Sequence, residues 1–201
     1  MFPLSAGSDT AAKAIKSITT LVLSVGRVYD KLSTEIRDHS RSLSGPVTYQ
    51  ETRRMSYLQA VIWESLRLRP PFTGLLMKQT GPNGGTYEDR FIPPGTRIAH
   101  DTWSVTHNRS VFGHDADEFR PERWLEADTK QKATMERHTE LIFGTGRWQC
   151  AGKAVALMEL HKLVFELFRR YHLLLIAEGP FVVIAERPSP PVQQEERHMS
   201  A

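Results

Sequence analysis

Residues 143–152, Phe-Gly-Thr-Gly-Arg-Trp-Gln-Cys-Ala-Gly, hold Cys150, the only cysteine in 201 residues. Gly144 and Gly146 precede it in a segment that has to turn tightly, because glycine takes positive φ without strain and lets backbone N–H groups come close to a ligand. Behind Cys150 runs Ala-Gly-Lys-Ala-Val-Ala-Leu-Met-Glu-Leu, apolar at helical spacing, which predicts a helix from about residue 151 to 171 with the cysteine at its N-terminus. At that place a helix dipole favours thiolate over thiol, a good ligand for a soft or borderline metal. A lone cysteine is ordinarily a small buried hydrophobe, so the sulfur alone decides nothing. The glycines on either side of it are what constrain the fold.

The pattern Phe-x-x-Gly, three further residues, then Cys-x-Gly resembles the haem-binding loop of the cytochrome P-450 superfamily, where a cysteine thiolate is the axial ligand of haem iron. The resemblance makes Cys150 the iron ligand and Phe143, Gly146 and Gly152 parts of the cofactor loop. The commonest form of that loop has a basic residue two before the cysteine. Here Trp148 stands there and Arg147 one earlier, an order similar to fungal members, so either the indole N–H or the guanidinium is the contact to a haem propionate.

Three further motifs stand in the family's order. Residues 6–10, Ala-Gly-Ser-Asp-Thr, open a stretch whose apolar residues, among them Ile18, Leu21, Val22, Val28, Leu32 and Ile36, recur at spacings of three and four; Gly26 divides it into two amphipathic helices. Ser8 and Asp9 would suit an N-cap. By resemblance the same residues are the oxygen-binding groove of the long central helix, with Thr10 bonding bound oxygen or a water and Asp9 relaying protons. Since the turns that precede the groove in the family are missing, the expectation is a frayed or re-capped groove. Ile15, Leu21, Val22 and the helix after Cys150 would then present apolar faces without partners.

Thr48 and Glu51 fit a capping box, and the helix it starts is expected to reach about Arg69 before Pro70-Pro71. On it Glu64 and Arg67 share a face. As a bare pattern that is a solvated pair. In this order it resembles the superfamily's Glu-x-x-Arg, and residues 119–124, Phe-Arg-Pro-Glu-Arg-Trp, resemble the segment whose arginine completes it, so Arg123 joins Glu64 and Arg67 in a buried triad that fixes the loop below the haem. Short strands with turns fill residues 73–100. There Lys78 falls where relatives carry a propionate-binding arginine, and Leu75, Leu76 and Met77 resemble a stretch that approaches substrate. Residues 126–139 read as an exposed connection, 172–176 and 181–185 as a hairpin, and 188–201 as a disordered tail.

The expected fold class is therefore mainly α with a small β region, the C-terminal part of the cytochrome P-450 fold over residues 1–187, from the central oxygen-groove helix to the C-terminal hairpin. The resemblance implies a haem-thiolate monooxygenase, most similar to fungal microsomal members of the benzoate hydroxylase and pisatin demethylase kind. Such an enzyme inserts one oxygen atom of O₂ into a small organic substrate, with electrons from NADPH through a flavoprotein reductase. Full-length members sit on the cytoplasmic face of the endoplasmic reticulum membrane. They are much longer, so this chain reads as a truncated piece without the anchor, and a haem-binding or non-functional fragment without turnover is the alternative. With 26 basic and 23 acidic side chains interspersed, a nucleic-acid partner is not expected. No run approaches the ~20 apolar residues of a membrane span. The histidines lack zinc spacing, and His107, His114, His138 and His161 read as scattered loop and surface residues.

Overall fold

The computed structural model describes residues 2–175 and 183–186. Two helices, α1 (Phe2–Ser24) and α2 (Gly26–Ser40), open it and are divided just before Gly26 as expected. The groove residues differ from expectation. α1 begins a full turn ahead of Ser8, so Ser8 and Asp9 lie inside the helix rather than capping it. The Thr10 hydroxyl donates to the Gly7 carbonyl at 3.3 Å, one way a threonine loosens the turn behind it.

The Thr48–Glu51 capping box is present, but it starts only the short α3 (Tyr49–Thr52). A second helix, α4 (Ser56–Leu68), begins anew after Met55. The reason lies in α2: the Glu35 carboxylate accepts the N–H groups of Tyr57 and Leu58 at 2.9 and 2.8 Å, which supplies the cap that Met55 cannot.

After α4 come β1 (Leu75–Gln79), β2 (Gly85–Tyr87), β3 (Arg90–Ile92) and β4 (Arg97–Asp101). β1 pairs antiparallel with β4, Leu75 opposite Asp101 and Gln79 opposite Arg97, while β2 and β3 form a hairpin. Its two-residue turn, Glu88-Asp89, has both φ values positive, the geometry that matches strand twist. Then follow α5 (Thr102–Thr106), α6 (Arg109–Phe112), α7 (Arg123–Glu126) and α8 (Thr129–Glu140). The last of these corrects the reading of residues 126–139 as an exposed connection. Asp128 caps α8 by accepting the Gln131 N–H, and Met135 and Thr139 are buried on its inner side. One apolar position in three turns is too weak a period to read.

α9 (Lys153–Arg170) follows the cysteine, and β5 (His172–Leu175) pairs with β6 (Val183–Glu186). The turn at 178–180 and the tail expected to be disordered lie outside the described residues. α1 packs on both α4 and α9. Ile18 and Val22 of α1, Leu58 and Ile62 of α4 and Val164 and Phe165 of α9 are fully buried there. Leu21 and Val22 are thus covered, against the expectation that they would stand exposed. The central part of α9 is its second half, not its first, since Val155 and Met158 are exposed. A second, smaller cluster of Ala60, Phe112, Ala116, Trp124 and Met135 fixes the irregular 113–122 run to the far side of α4.

Candidate functional site

The cysteine loop is held by its own backbone. The Cys150 N–H donates to the Phe143 carbonyl at 2.7 Å, and the Gln149 N–H to Gly146. Gly144 has φ +72°, and a Cβ there would meet the Trp148 carbonyl oxygen at 3.0 Å, so only glycine closes the turn without strain. α9 starts at Lys153, leaving Cys150 three residues ahead of it rather than next to its first residue. The Lys153 ammonium bonds Glu140 at 2.7 Å, tying the helix start back to α8.

Cys150 lines an apolar cavity of about 260 Å³. Thr10 and Ala14 of α1, Leu66 of α4, Phe72, Phe143 and Leu160 of α9 complete most of its wall. Two of the residues singled out in the sequence, Thr10 and Cys150, thus meet on one cavity although 140 residues separate them. Asp9 does not line it and is exposed. Trp148 lines it too, with most of its ring in solvent, and the Arg147 guanidinium stacks on that ring at 4.8 Å. Lys78 donates to both the Thr145 hydroxyl and its carbonyl, so its ammonium is held against the cysteine loop. Lys78, Arg97 and Arg147 border a recess of about 330 Å³ with Trp148, next to the cavity. Arg97 was not singled out in the sequence; its place follows from the β1–β4 register, which sets it across from Gln79.

Glu64, Arg67 and Arg123 are all buried. Arg67 grips Glu64 through two nitrogens, at 2.9 and 2.8 Å, and Arg123 donates to the same carboxylate at 2.9 Å. Trp124 adds its indole N–H at 2.9 Å and Arg120 its backbone N–H at 3.1 Å. Burial works against the charge on Arg123, but Glu64 and Asp115 outweigh it and raise its pKa. Asp115 is pushed up by burial and pulled down further by Arg123 and Arg120, so it stays a carboxylate below its ordinary range. Arg67 also donates to the carbonyls of Thr106, Ala116 and Glu118, and Arg123 to those of Phe112, Asp115 and Glu118, so the two guanidiniums held by one carboxylate gather five carbonyls of residues 106–118.

One histidine departs from the surface reading. His161 is buried against the Tyr49 ring, 5.4 Å away, and burial pushes its pKa down. Among the described residues no group of histidine, cysteine and acidic side chains is arranged to hold a metal ion, and no helix is long and apolar enough to cross a membrane.

Comparison with known proteins gives one family. The profile described as Cytochrome P450 matches residues 3–198. The chain is 48% identical over 169 residues to cytochrome P450 monooxygenase ABA1 of Pyricularia oryzae, covering 83% of this chain and 33% of that protein. It is 40% identical over 179 residues to cytochrome P450 monooxygenase aba1 of Botryotinia fuckeliana, 88% of this chain and 35% of that one. Pisatin demethylase of Fusarium vanettenii is 36% identical over 169 residues, 84% and 32% respectively. The chain thus spans about a third of the length of the relatives it matches.

Proposed function

The chain belongs to the cytochrome P450 family, and on that premise we propose that it is the haem-ligand part of a haem-thiolate monooxygenase, with Cys150 as the axial ligand. The observation that carries the proposal is the shared cavity of Cys150 and Thr10. Its apolar wall suits the face of a porphyrin, and its one soft donor suits haem iron. The cations Lys78, Arg97 and Arg147 beside it suit the acidic edge of the same group. When bound, haem supplies the activation of O₂ and the insertion of one oxygen atom into an organic substrate.

The chain's own residues have distinct parts in this reading. Cys150 offers its sulfur, and the hydrogen bond from its N–H to Phe143 fixes where that sulfur stands. Phe143, Leu66 and Leu160 give the cavity an apolar wall against which the cofactor would pack. Gly144, Gly146 and Gly152 let the loop backbone run close to the cofactor. Thr10 holds a proton at Oγ1, now shared with the Gly7 carbonyl, on the cavity side of α1. Asp9, one residue earlier on the exposed side, exchanges protons with solvent in the relay. Lys78, together with Arg147 or Trp148, holds the propionates. The complete enzyme takes electrons from an NADPH-dependent flavoprotein reductase, binds a small organic substrate and works at the cytoplasmic face of the endoplasmic reticulum membrane.

A second reading is a chain that holds haem, or none, without turning over. The exposure of Asp9 and its absence from the cavity wall favour it. The test is the optical spectrum of the purified, haem-reconstituted chain, reduced and exposed to carbon monoxide, beside Cys150→Ser. A red-shifted thiolate-type Soret band that the substitution abolishes is expected. A spectrum indifferent to the substitution would sink the assignment of Cys150, and thiolate binding without reductase-driven turnover would establish the second reading.

A further inference from the structure

α2 carries Arg27, Lys31 and Glu35 four residues apart, so their side chains form one stripe along the helix. Arg27 and Lys31 each bond the Glu122 carboxylate at 2.8 Å, and the Tyr57 hydroxyl donates to it at 2.9 Å. At the other end of the stripe Glu35 caps α4 through the N–H groups of Tyr57 and Leu58. Tyr57 is therefore gripped twice, at its amide by α2 directly and at its hydroxyl through Glu122.

Glu122 and Arg123 are neighbours with opposite attachments. Glu122 is tied outward to α2, and Arg123 inward to Glu64 on α4. From Glu64 the bonds continue through Arg67 to the Thr106 carbonyl at the end of α5. α5 packs on the turn Leu141–Phe143, whose last carbonyl holds the Cys150 N–H. α4 also reaches the cavity directly, through Leu66, the residue before Arg67.

We propose that the stripe on α2 is a clasp that sets the register of α4 and, through the triad and α5, the shape of the cysteine loop, which makes Glu35 and Glu122 positioning residues for the site. That the loop is a haem site rests on the functional reading above, whereas the coupling can be read without haem. A helix whose first turn is capped from another helix cannot slide along it, because a shift of one residue breaks both N–H contacts to Glu35. The ion pairs alone would be worth little, since the Arg27 and Lys31 side chains are half exposed. Their effect comes from joining a network that is otherwise buried.

The experiment is hydrogen–deuterium exchange on the full haem-free chain, comparing the unaltered protein with Glu122→Gln, Glu35→Ala and Tyr57→Phe. Asp38→Asn serves as control, because it breaks only an exposed pair with Arg41, the residue that follows α2. The expected result is exchange about threefold faster or more in segments 56–68 and 141–152 for Glu122→Gln and Glu35→Ala, a smaller change in the same direction for Tyr57→Phe, and none for Asp38→Asn. Acceleration that stops at 56–58 and 121–124, or that is equal over every helix, would overturn the proposal. Tyr57→Phe removes a single hydroxyl and decides the matter if the other two variants fail to fold. A haem titration of the same proteins keeps the two claims apart. If the unaltered chain takes up no haem, the cofactor reading fails and the exchange result still judges the clasp. If it does take up haem, Glu122→Gln is expected to show a smaller thiolate-type fraction at equal haem.

Discussion

A buried carboxylate that collects five donor contacts cannot be replaced cheaply. Glu64→Gln would leave the Arg67 and Arg123 guanidiniums buried without a counter-charge, a loss of about 3–5 kcal/mol. For a chain of this size that lowers the melting temperature by about 10 °C, readable by circular dichroism; a shift within error would mean that the triad is not electrostatically tight. Glu122 makes a different claim. Burial pushes its pKa up, but hydrogen bonds from Lys31, Arg27 and Tyr57 outweigh this and hold it at about 2. A carboxylate depressed on folding contributes stability that is complete above its unfolded value, near 4.5, and is lost as pH falls toward about 2. Acid unfolding of the unaltered chain is therefore expected to steepen in that window. Glu122→Gln should start less stable at neutral pH and lose less between pH 4.5 and 2; parallel curves for the two proteins would refute it.

At the scale of elements, the cysteine loop is the part with least latitude. Gly144→Ala places a side chain at positive φ and against the Trp148 carbonyl, a cost of about 1–3 kcal/mol concentrated in one turn. It is expected to weaken haem uptake about tenfold or more while leaving the helical far-ultraviolet signal intact; unchanged uptake would mean that the loop adapts. What was legible in the sequence follows the same division between local and distant causes. Cys150, Thr10, Glu64, Arg67 and Arg123 lie in short motifs whose spacing is their signature, and the cavity and the triad unite them. The partner of Lys78 was not legible, since Thr145 lies 67 residues away and only folding joins them. Nor was the break between α3 and α4, which depends on a carboxylate from α2, or helix α8, whose inner side carries a single apolar residue. His161 was misread because the Tyr49 ring that covers it lies 112 residues earlier in the chain and only folding joins them.

At the scale of the molecule, apolar side chains of the described residues stand in solvent on several elements, α9 and β1 among them. Val155, Met158 and Leu163 stand exposed on α9, and Leu75 and Met77 alternate along the same face of β1. Surfaces of this kind associate. Light scattering is expected to show self-association at concentrations on the order of 10 μM, relieved by Met158→Lys with Leu163→Lys; a monomer unaffected by either change would contradict it. The joint wall of Thr10 and Cys150 has a consequence in time as well as space. A ribosome adding about 5 residues per second needs roughly half a minute to pass from one to the other. For most of that interval Ile18 and Val22 have been made while Val164 and Phe165, which cover them, have not. Burial of α1 is therefore completed only once α9 has been made, although the two helices share one core.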